Sequence, residues 1–290
     1  MPAHFEVTEP AGLLLFLLAR MPERSRTAVK CLLRDRHVSV NHKVVTQYNQ
    51  PLVAGQQVVV QRVGEAGTGP SRHLTIVFED ADIIVVEKRA GLLSMATDAQ
   101  RGMTAYSLLS EHVKKSNPRS RVFIVHRLDR ETSGLMMFAK SSSVQGTLQE
   151  AWQEAIFERL YVAVLEGQVT KPQGTITSWL KENKALVMCS SPTPNDGQKA
   201  TTHFRVLQSN PRYSLVELSL ETGRKNQIRV HMRDLSHRVI GDLRYGATQD
   251  PIHRVALHAR VLSFRHPVTR ETLRFETPIP QEFLRLFRRP

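Results

Sequence analysis

Residues 126–135 read HRLDRETSGL and crowd His126, Arg127, Asp129, Arg130 and Glu131 into six positions. Apolar runs flank the stretch, VFIV before it and LMMFAK after it. Both read as buried strands, so the charged segment is a loop held at each end by core. A carboxylate mounted in this way can serve as a nucleophile or a base if it is ionised and aimed. Arg127 and Arg130 are expected to keep Asp129 ionised. Thr132, Ser133 and Gly134 supply hydroxyls and a permissive backbone for a tight return. A structural ion pair or a turn-forming aspartate would use the same residue types, and the loop alone does not separate these readings.

A second cluster of chemistry-bearing residues lies in ETGRKNQIRVHMRDLSHRVIGDLRYG (221–246). From Arg224 to Arg274 there are eleven basic residues and four acids. If Arg229 opens a helix after a strand, its guanidinium points toward whatever the sheet presents; a helix with a solvated basic face is the bland alternative. No second carboxylate makes a convincing acid–base pair with Asp129, which argues against a glycosidase of the two-carboxylate kind. The histidines lack metal-ligand spacing, so no metal is expected. GEAGTGPS (64–71) has no following Gly-Lys-Ser/Thr and reads as a flexible linker rather than a phosphate loop.

These clusters need a frame. Before the linker, LLLFLLAR and SRTAVKCLLRDR carry helical spacing, the second with Ser25 as a candidate N-cap. VSVNHKVV reads as a hairpin turning at Asn41-His42, and GQQVVVQRV as a closing strand. After the linker, LTIVFED, DIIVVEK, RVFIVHR, LMMFAKS, LYVAVLEG, YSLVELSLE and HARVLSFRH read as strands. Helical patterns fall near 103–115, 143–158 and 225–236, and the polar stretch 183–200 reads as an exposed loop or insertion. Strands outnumber helices without regular alternation. The expected class is therefore α+β, with a mixed, mostly antiparallel sheet flanked by helices and loops.

Lys plus Arg number 40 against 27 acids, a net charge of +13, which points to a polyanionic partner, most often nucleic acid. Seven basic residues and two acids lie between Arg20 and Lys43, Arg26, Lys30 and Arg34 among them. Cys31 and Cys189 form neither a CxxC nor a disulfide framework, and a reducing cytosol is the simplest reading. LLLFLLA (13–19) follows Glu6 and Glu9 rather than a basic segment, so it reads as a buried helix and not as a signal peptide. No apolar run is long enough to suggest a membrane span.

The segment SRTAVKCLLRDRHVSVNHKVV followed by LVAGQQVVV resembles the S4 RNA-binding module over about residues 11–62, with His37 and His42 where glycines are usual. HRLDRETSGL resembles the signature of the RluA-type RNA pseudouridine synthases, H-R-L-D-x-x-T-S-G-L. DIIVVEKRAGL resembles that family's opening strand and turn, with Arg89 in place of a Pro. ERLYVAVLEG resembles its Tyr-x-Ala-x-Val-x-Gly strand, and LETGRKNQIRVHM its Gly-Arg-x-His-Gln-Ile-Arg helix, with Asn226 replacing the His. IGDLRYG, ALHA and FRHP follow in the family's order, so the resemblance spans roughly 72–280. It implies an S4-like α/β module at 1–66, a linker at 67–72 and a pseudouridine-synthase-type domain at 73–290.

The reaction so implied breaks the N-glycosidic bond of a uridine, turns the uracil and rejoins it through C5 to C1′, without cofactor. Asp129 matches the catalytic aspartate, attacking C1′ or removing a sugar proton. Arg229 matches the basic residue that pairs with it, and Tyr161 the aromatic that packs on the base and serves its C5 deprotonation. Leu257 matches an apolar pocket residue. Arg127 matches the side chain that fills the space left by the flipped base. Arg224, with Arg26, Lys30 and Arg34 of the S4-like module, is expected to bind RNA phosphates. The implied partner is RNA, with ribosomal RNA favoured and transfer RNA also among the family's targets, and the expected protein is a monomer with no membrane partner. Two other readings compete: a non-catalytic S4-type RNA-binding or ribosome-assembly factor, and a base glycosylase, which would release free uracil.

Overall fold

The computed structural model describes residues 3–22, 24, 26–34, 38–41, 43–45, 47–60, 73–96, 102–152, 156–194 and 196–288. Two units partition the chain, Met1–Gly69 and Pro70–Pro290. The linker at 67–72, Ser25, His37 and His42 lie outside the described residues, as does the side chain of Arg34.

In the first unit the run LLLFLLAR forms α1 (Leu13–Arg20), which buries Leu13, Leu14, Phe16 and Leu17. Helix α2 (Arg26–Arg34) packs Val29, Leu32 and Leu33 into the same core. Arg26 and Lys30, four positions apart and so on one helix face, are exposed. Four antiparallel strands take the order β1 (Ala3–Glu6), β6 (Gln57–Val60), β3 (Val38–Val40), β4 (Lys43–Val44). A two-stranded pair joins β2 (Ala11–Gly12) to β5 (Pro51–Leu52). Asn41 makes the β3–β4 turn with φ of +47°, a conformation asparagine tolerates, and its Oδ1 accepts the Gln57 N–H at 2.9 Å.

The second unit is built on one eleven-stranded sheet. Its main path runs β13 (Met188–Ser191), β12 (Gln173–Glu182), β14 (Gln198–Ser209), β15 (Tyr213–Leu220), β11 (Ile156–Glu166), β16 (Leu257–Arg265), β10 (Ser133–Ala139), β8 (Ile83–Lys88), β7 (Leu74–Glu79). All neighbours are antiparallel except β10 and β16, which are parallel. That one parallel contact is short: Ser133 faces His258 and Gly134 faces Ala259. Beyond it β16 turns its edge to β17 (Thr272–Glu276), while β10 takes β9 (Phe123–Ile124). Gly134 is required at the contact. Its φ is +114°, and a Cβ there would lie 2.1 Å from the Ala259 carbonyl oxygen.

All seven residues of β10 are buried, whereas the preceding run VFIV contributes only the two-residue β9. Helices α3 (Ala105–Ser116), α5 (Gln227–Asp234) and the short α6 (Gln281–Arg285) flank the sheet. Helix α4 (Ser142–Glu150) stops eight residues short of the expected 158, because Ile156 and Phe157 belong to β11. The stretch 183–200 is not a loop throughout: β13 and the start of β14 lie within it, paired to β12 through main-chain hydrogen bonds. Among the described residues no helix is long and apolar enough to cross a membrane.

Candidate active site

The sheet's middle strands deliver the chemistry to one open cleft. The loop entering β10 supplies Arg127, Leu128, Asp129 and Thr132; β11 supplies Tyr161; β16 begins with Leu257. The turn after β15 and helix α5 supply Arg224, Asn226 and Arg229. Six residues singled out in the sequence, Arg127, Asp129, Tyr161, Arg224, Arg229 and Leu257, thus line the same cleft. Arg26 and Lys30 belong to the other unit.

Asp129 is held at a tight turn, with the Thr132 N–H donating to its carbonyl at 3.1 Å. Ser94 clasps the adjacent residue: its hydroxyl donates to the Leu128 carbonyl (2.7 Å) and accepts the Leu128 N–H (3.1 Å). The cation that reaches the Asp129 carboxylate is neither sequence neighbour. Arg229 approaches it, Nη1 to Oδ2 at 3.6 Å. Arg130 instead donates Nε to the Gly91 carbonyl at 3.1 Å and pairs with Glu131 at 3.6 Å. Arg127 is exposed on the cleft's rim. The expectation that Arg127 and Arg130 hold the carboxylate charge is therefore corrected; the turn sends Arg130 toward the 88–92 segment.

Arg229 is itself held by a second acid. Asp242, 1% exposed, accepts Nε at Oδ2 and Nη2 at Oδ1, both at 2.7 Å. This bidentate fork leaves Nη1 for Asn226 Oδ1 (3.1 Å) and for Asp129. Burial opposes the charge on Arg229, but the bonds and charge of Asp242, reinforced by Asp129, raise its pKa. Asn226, at φ +53° on the N-terminus of α5, donates Nδ2–H to the Tyr245 hydroxyl at 2.9 Å. The Tyr245 ring lies 4.9 Å from the Arg229 guanidinium. The asparagine therefore fills its position as a two-sided spacer. Burial raises the Tyr161 phenol's pKa, with Arg159 opposing and Asp129 reinforcing. The Tyr161 ring packs against the apolar core while lining the cleft.

Sequence reasoning missed Asp242, Lys88 and Tyr245. Asp242 and Tyr245 sit in IGDLRYG, which signalled only order along the chain. Lys88, fully buried, donates to the carbonyls of Arg89 (3.1 Å), Leu92 (2.8 Å) and Arg130 (3.1 Å), pinning the end of the Asp129 loop. Burial pushes its pKa down to about 7, while three carbonyls accept the three hydrogens of the ammonium form. Asp80, Asp82 and His266 gather ligand-type atoms within 4.8 Å of one another. Asp80 already accepts the N–H groups of Asp82 and Ile83 at Oδ1 (2.8 Å each) and His266 Nε2 at Oδ2 (3.0 Å), so this group locks a turn.

Three histidines carry a consequence for pH. His126 accepts the Met137 N–H at 3.0 Å, while His231 and His258 are buried between hydroxyls. Burial lowers their pKa values from 6.5 to about 3, 4 and 3 respectively. The unfolded chain then binds more protons than the folded one between about pH 6.5 and 3, so stability falls with pH across that window, by up to about 1.4 kcal/mol per pH unit for each. Urea unfolding from pH 7.5 to 4.5 should show this loss. A stability independent of pH over that range contradicts it.

Residues 82–234 match the family model described as RNA pseudouridylate synthase, and residues 12–58 match the S4 domain. A Bacillus subtilis protein named as an uncharacterized RNA pseudouridine synthase is 37% identical over 228 residues, covering 79% of this chain and 80% of its own. The ribosomal large subunit pseudouridine synthase D of Neisseria meningitidis is 36% identical over 292 residues, covering 95% of this chain and 78% of its own. Among solved structures, human RNA pseudouridylate synthase domain containing 1 superposes with a TM-score of 0.56 at 27% identity, over 71% of this chain and 83% of its own. Human RNA pseudouridylate synthase domain containing 4, at TM-score 0.60 and 22% identity over 77% of this chain and 92% of its own, shares the fold.

Proposed function

The chain belongs to the RNA pseudouridylate synthase family and is an RNA pseudouridine synthase with an S4 domain, and from that premise we propose that Asp129 carries the isomerisation, on uridines of ribosomal RNA. The observation that supports this most is the single cleft where Asp129, Arg229, Tyr161 and Leu257 converge from four different elements. The bond broken is N1–C1′ and the bond made is C5–C1′. C5 gives up a proton and N1 ends with one, so nothing is lost from the RNA. Asp129 engages the ribose, at C1′ as a nucleophile or at a neighbouring C–H as a base. Arg229, locked by Asp242, holds the carboxylate's aim. Tyr161 packs on the uracil face and Leu257 closes the apolar side. Arg127 on the rim fills the space the flipped uridine leaves.

Ribosomal RNA is favoured by the Neisseria relative, whose name specifies the large ribosomal subunit and whose match covers 95% of this chain. This reading takes the protein as a monomer acting in the cytoplasm. The test is a map of pseudouridines in total RNA from cells with and without the gene. Sites in large-subunit ribosomal RNA should disappear; loss confined to transfer RNA contradicts the assignment of the RNA.

The S4 unit, in this reading, grips phosphates and does no chemistry, with Arg26, Lys30, Arg34 and, beside the cleft, Arg224 as contacts. Lys30 and Arg26 present their charges outward on α2, and the Lys30 ammonium lies 4.9 Å from the centre of the Tyr48 ring. Replacing both Arg26 and Lys30 by Gln should reduce the log–log salt slope of RNA binding by about 0.7 per lost contact to single-stranded RNA. Turnover at saturating RNA should stay within twofold. An unchanged salt slope contradicts the phosphate contacts.

A further inference from the structure

Arg254 stands outside the cleft, yet it touches the strand that follows the Asp129 loop, the start of β16 and the turn that carries Asp242. Its Nη2 donates to Ser133 Oγ at 2.7 Å and to the Leu257 carbonyl at 3.2 Å. Ser133 opens β10 four residues after Asp129, and Leu257 opens β16 and lines the cleft. The third segment is reached through backbone. Gly241, with φ of +75°, lies so close to Arg254 that a Cβ would be 2.1 Å from the Arg254 carbonyl oxygen. The residue after that glycine is Asp242, the acid that holds Arg229.

The hydrogen bonds beyond Ser133 run in one direction only. An arginine can only donate, so Ser133 Oγ accepts from Arg254 and sends its own hydrogen to His258 Nδ1 at 2.8 Å. The Thr277 hydroxyl donates to the Arg260 carbonyl (3.2 Å) and therefore accepts His258 Nε2–H (2.8 Å). Every polar atom in this buried chain has a partner and a fixed role, so the Ser133 hydroxyl cannot rotate away without stranding His258. The guanidinium is seated from the other side by Glu282 at 3.4 Å and by the Phe283 ring at 5.3 Å.

We propose that Arg254 is a positioning residue for the isomerisation: through Ser133 and His258 its guanidinium sets the reach of the Asp129 loop toward Arg229, while its main chain, packed on Gly241, lies beside the turn of Asp242. This rests on the reading that Asp129 does the chemistry. A displacement of about 1 Å in such a constellation can cost about a hundredfold in rate. Arg254 meets neither substrate nor reacting atoms, so its loss should appear in the rate and not in RNA affinity.

The experiment compares full-length wild type, Arg254→Met, Ser133→Ala and the double variant in single-turnover kinetics at saturating RNA, with RNA affinity and melting temperature measured in parallel. Arg254→Met and Ser133→Ala should each lower the rate by about ten- to a hundredfold. Affinity should stay within a few-fold, and the double variant should be no slower than the slower single one. Ser133→Ala removes one hydroxyl and keeps the packing of Arg254, so it reads the chain even if Arg254→Met folds poorly. A folded Ser133→Ala protein turning over within twofold of wild type overturns the proposal, as do losses that multiply in the double variant or that track affinity. Asp129→Asn is run alongside: if it remains active, the reading of Asp129 fails, whereas an inactive Asp129→Asn beside an unimpaired Ser133→Ala refutes only the role of Arg254.

Discussion

Asp129→Asn is expected to lower turnover by at least about a thousandfold, in the range seen when an essential nucleophile is removed, while RNA affinity stays within a few-fold. The substitution takes away the carboxylate charge and almost no volume. It does not strand Arg229, whose two short hydrogen bonds go to Asp242 and remain. Asp129 is itself 25% exposed in a cleft open to solvent, so the neutral amide finds water. Stability should therefore change little, and loss of activity can be read as loss of chemistry. Single-turnover conversion and a binding isotherm on the same RNA check this. Turnover near the wild-type rate contradicts the role given to Asp129.

Asp242→Ala should have the largest effect on stability. Asp242 is 1% exposed and the Arg229 side chain 8%, and the pair shares two hydrogen bonds of 2.7 Å. Removing one partner of such a buried pair takes away both short hydrogen bonds of the guanidinium and costs about 3–5 kcal/mol. That is a large part of the roughly 5–15 kcal/mol by which a domain is stable. The freed guanidinium keeps Asn226 and Asp129 as its partners, so it should swing onto the Asp129 carboxylate and block the ribose. Asp242→Asn, which keeps the shape and one acceptor, should lose less stability than Asp242→Ala. Urea unfolding of both variants checks the order. An Asp242→Ala protein within about 1 kcal/mol of wild type contradicts the buried-pair account.

The Asp129 loop stood out as charge packed between two apolar runs, but its role came from the resemblance of HRLDRETSGL, since a structural ion pair would use the same residues. Arg229 was legible through the resemblance of its helix motif, because its place after a strand left a solvated basic face as an equal reading. The acid that fixes Arg229 was not, because Asp242 is one carboxylate in a turn-forming Gly-Asp and its partner lies thirteen residues away. The error over Arg130 has a related cause: proximity in sequence says nothing about which way a tight turn sends successive side chains. β12 escaped notice because only Ser178 and Leu180 of its ten residues are buried. Its inward face alternates, but Gly174 and Ser178 interrupt Ile176 and Leu180, so the apolar signal is weak. Helix α4 was overextended because Trp152, Ile156 and Phe157 continue its apolar content, although the last two already belong to β11. His126 carries no sequence signal for its role, which is to accept the N–H of Met137 beside the ring of Trp152, 5.2 Å away.

The most direct measurement is of product mass and identity. The full-length protein is incubated with a large-subunit ribosomal RNA transcript, and the digested nucleosides are separated and weighed beside an Asp129→Asn control. The account predicts pseudouridine at defined positions, RNA of unchanged mass, no free uracil, and none of this conversion in the control. Release of uracil with loss of RNA mass, or pseudouridine formed equally by Asp129→Asn, contradicts it.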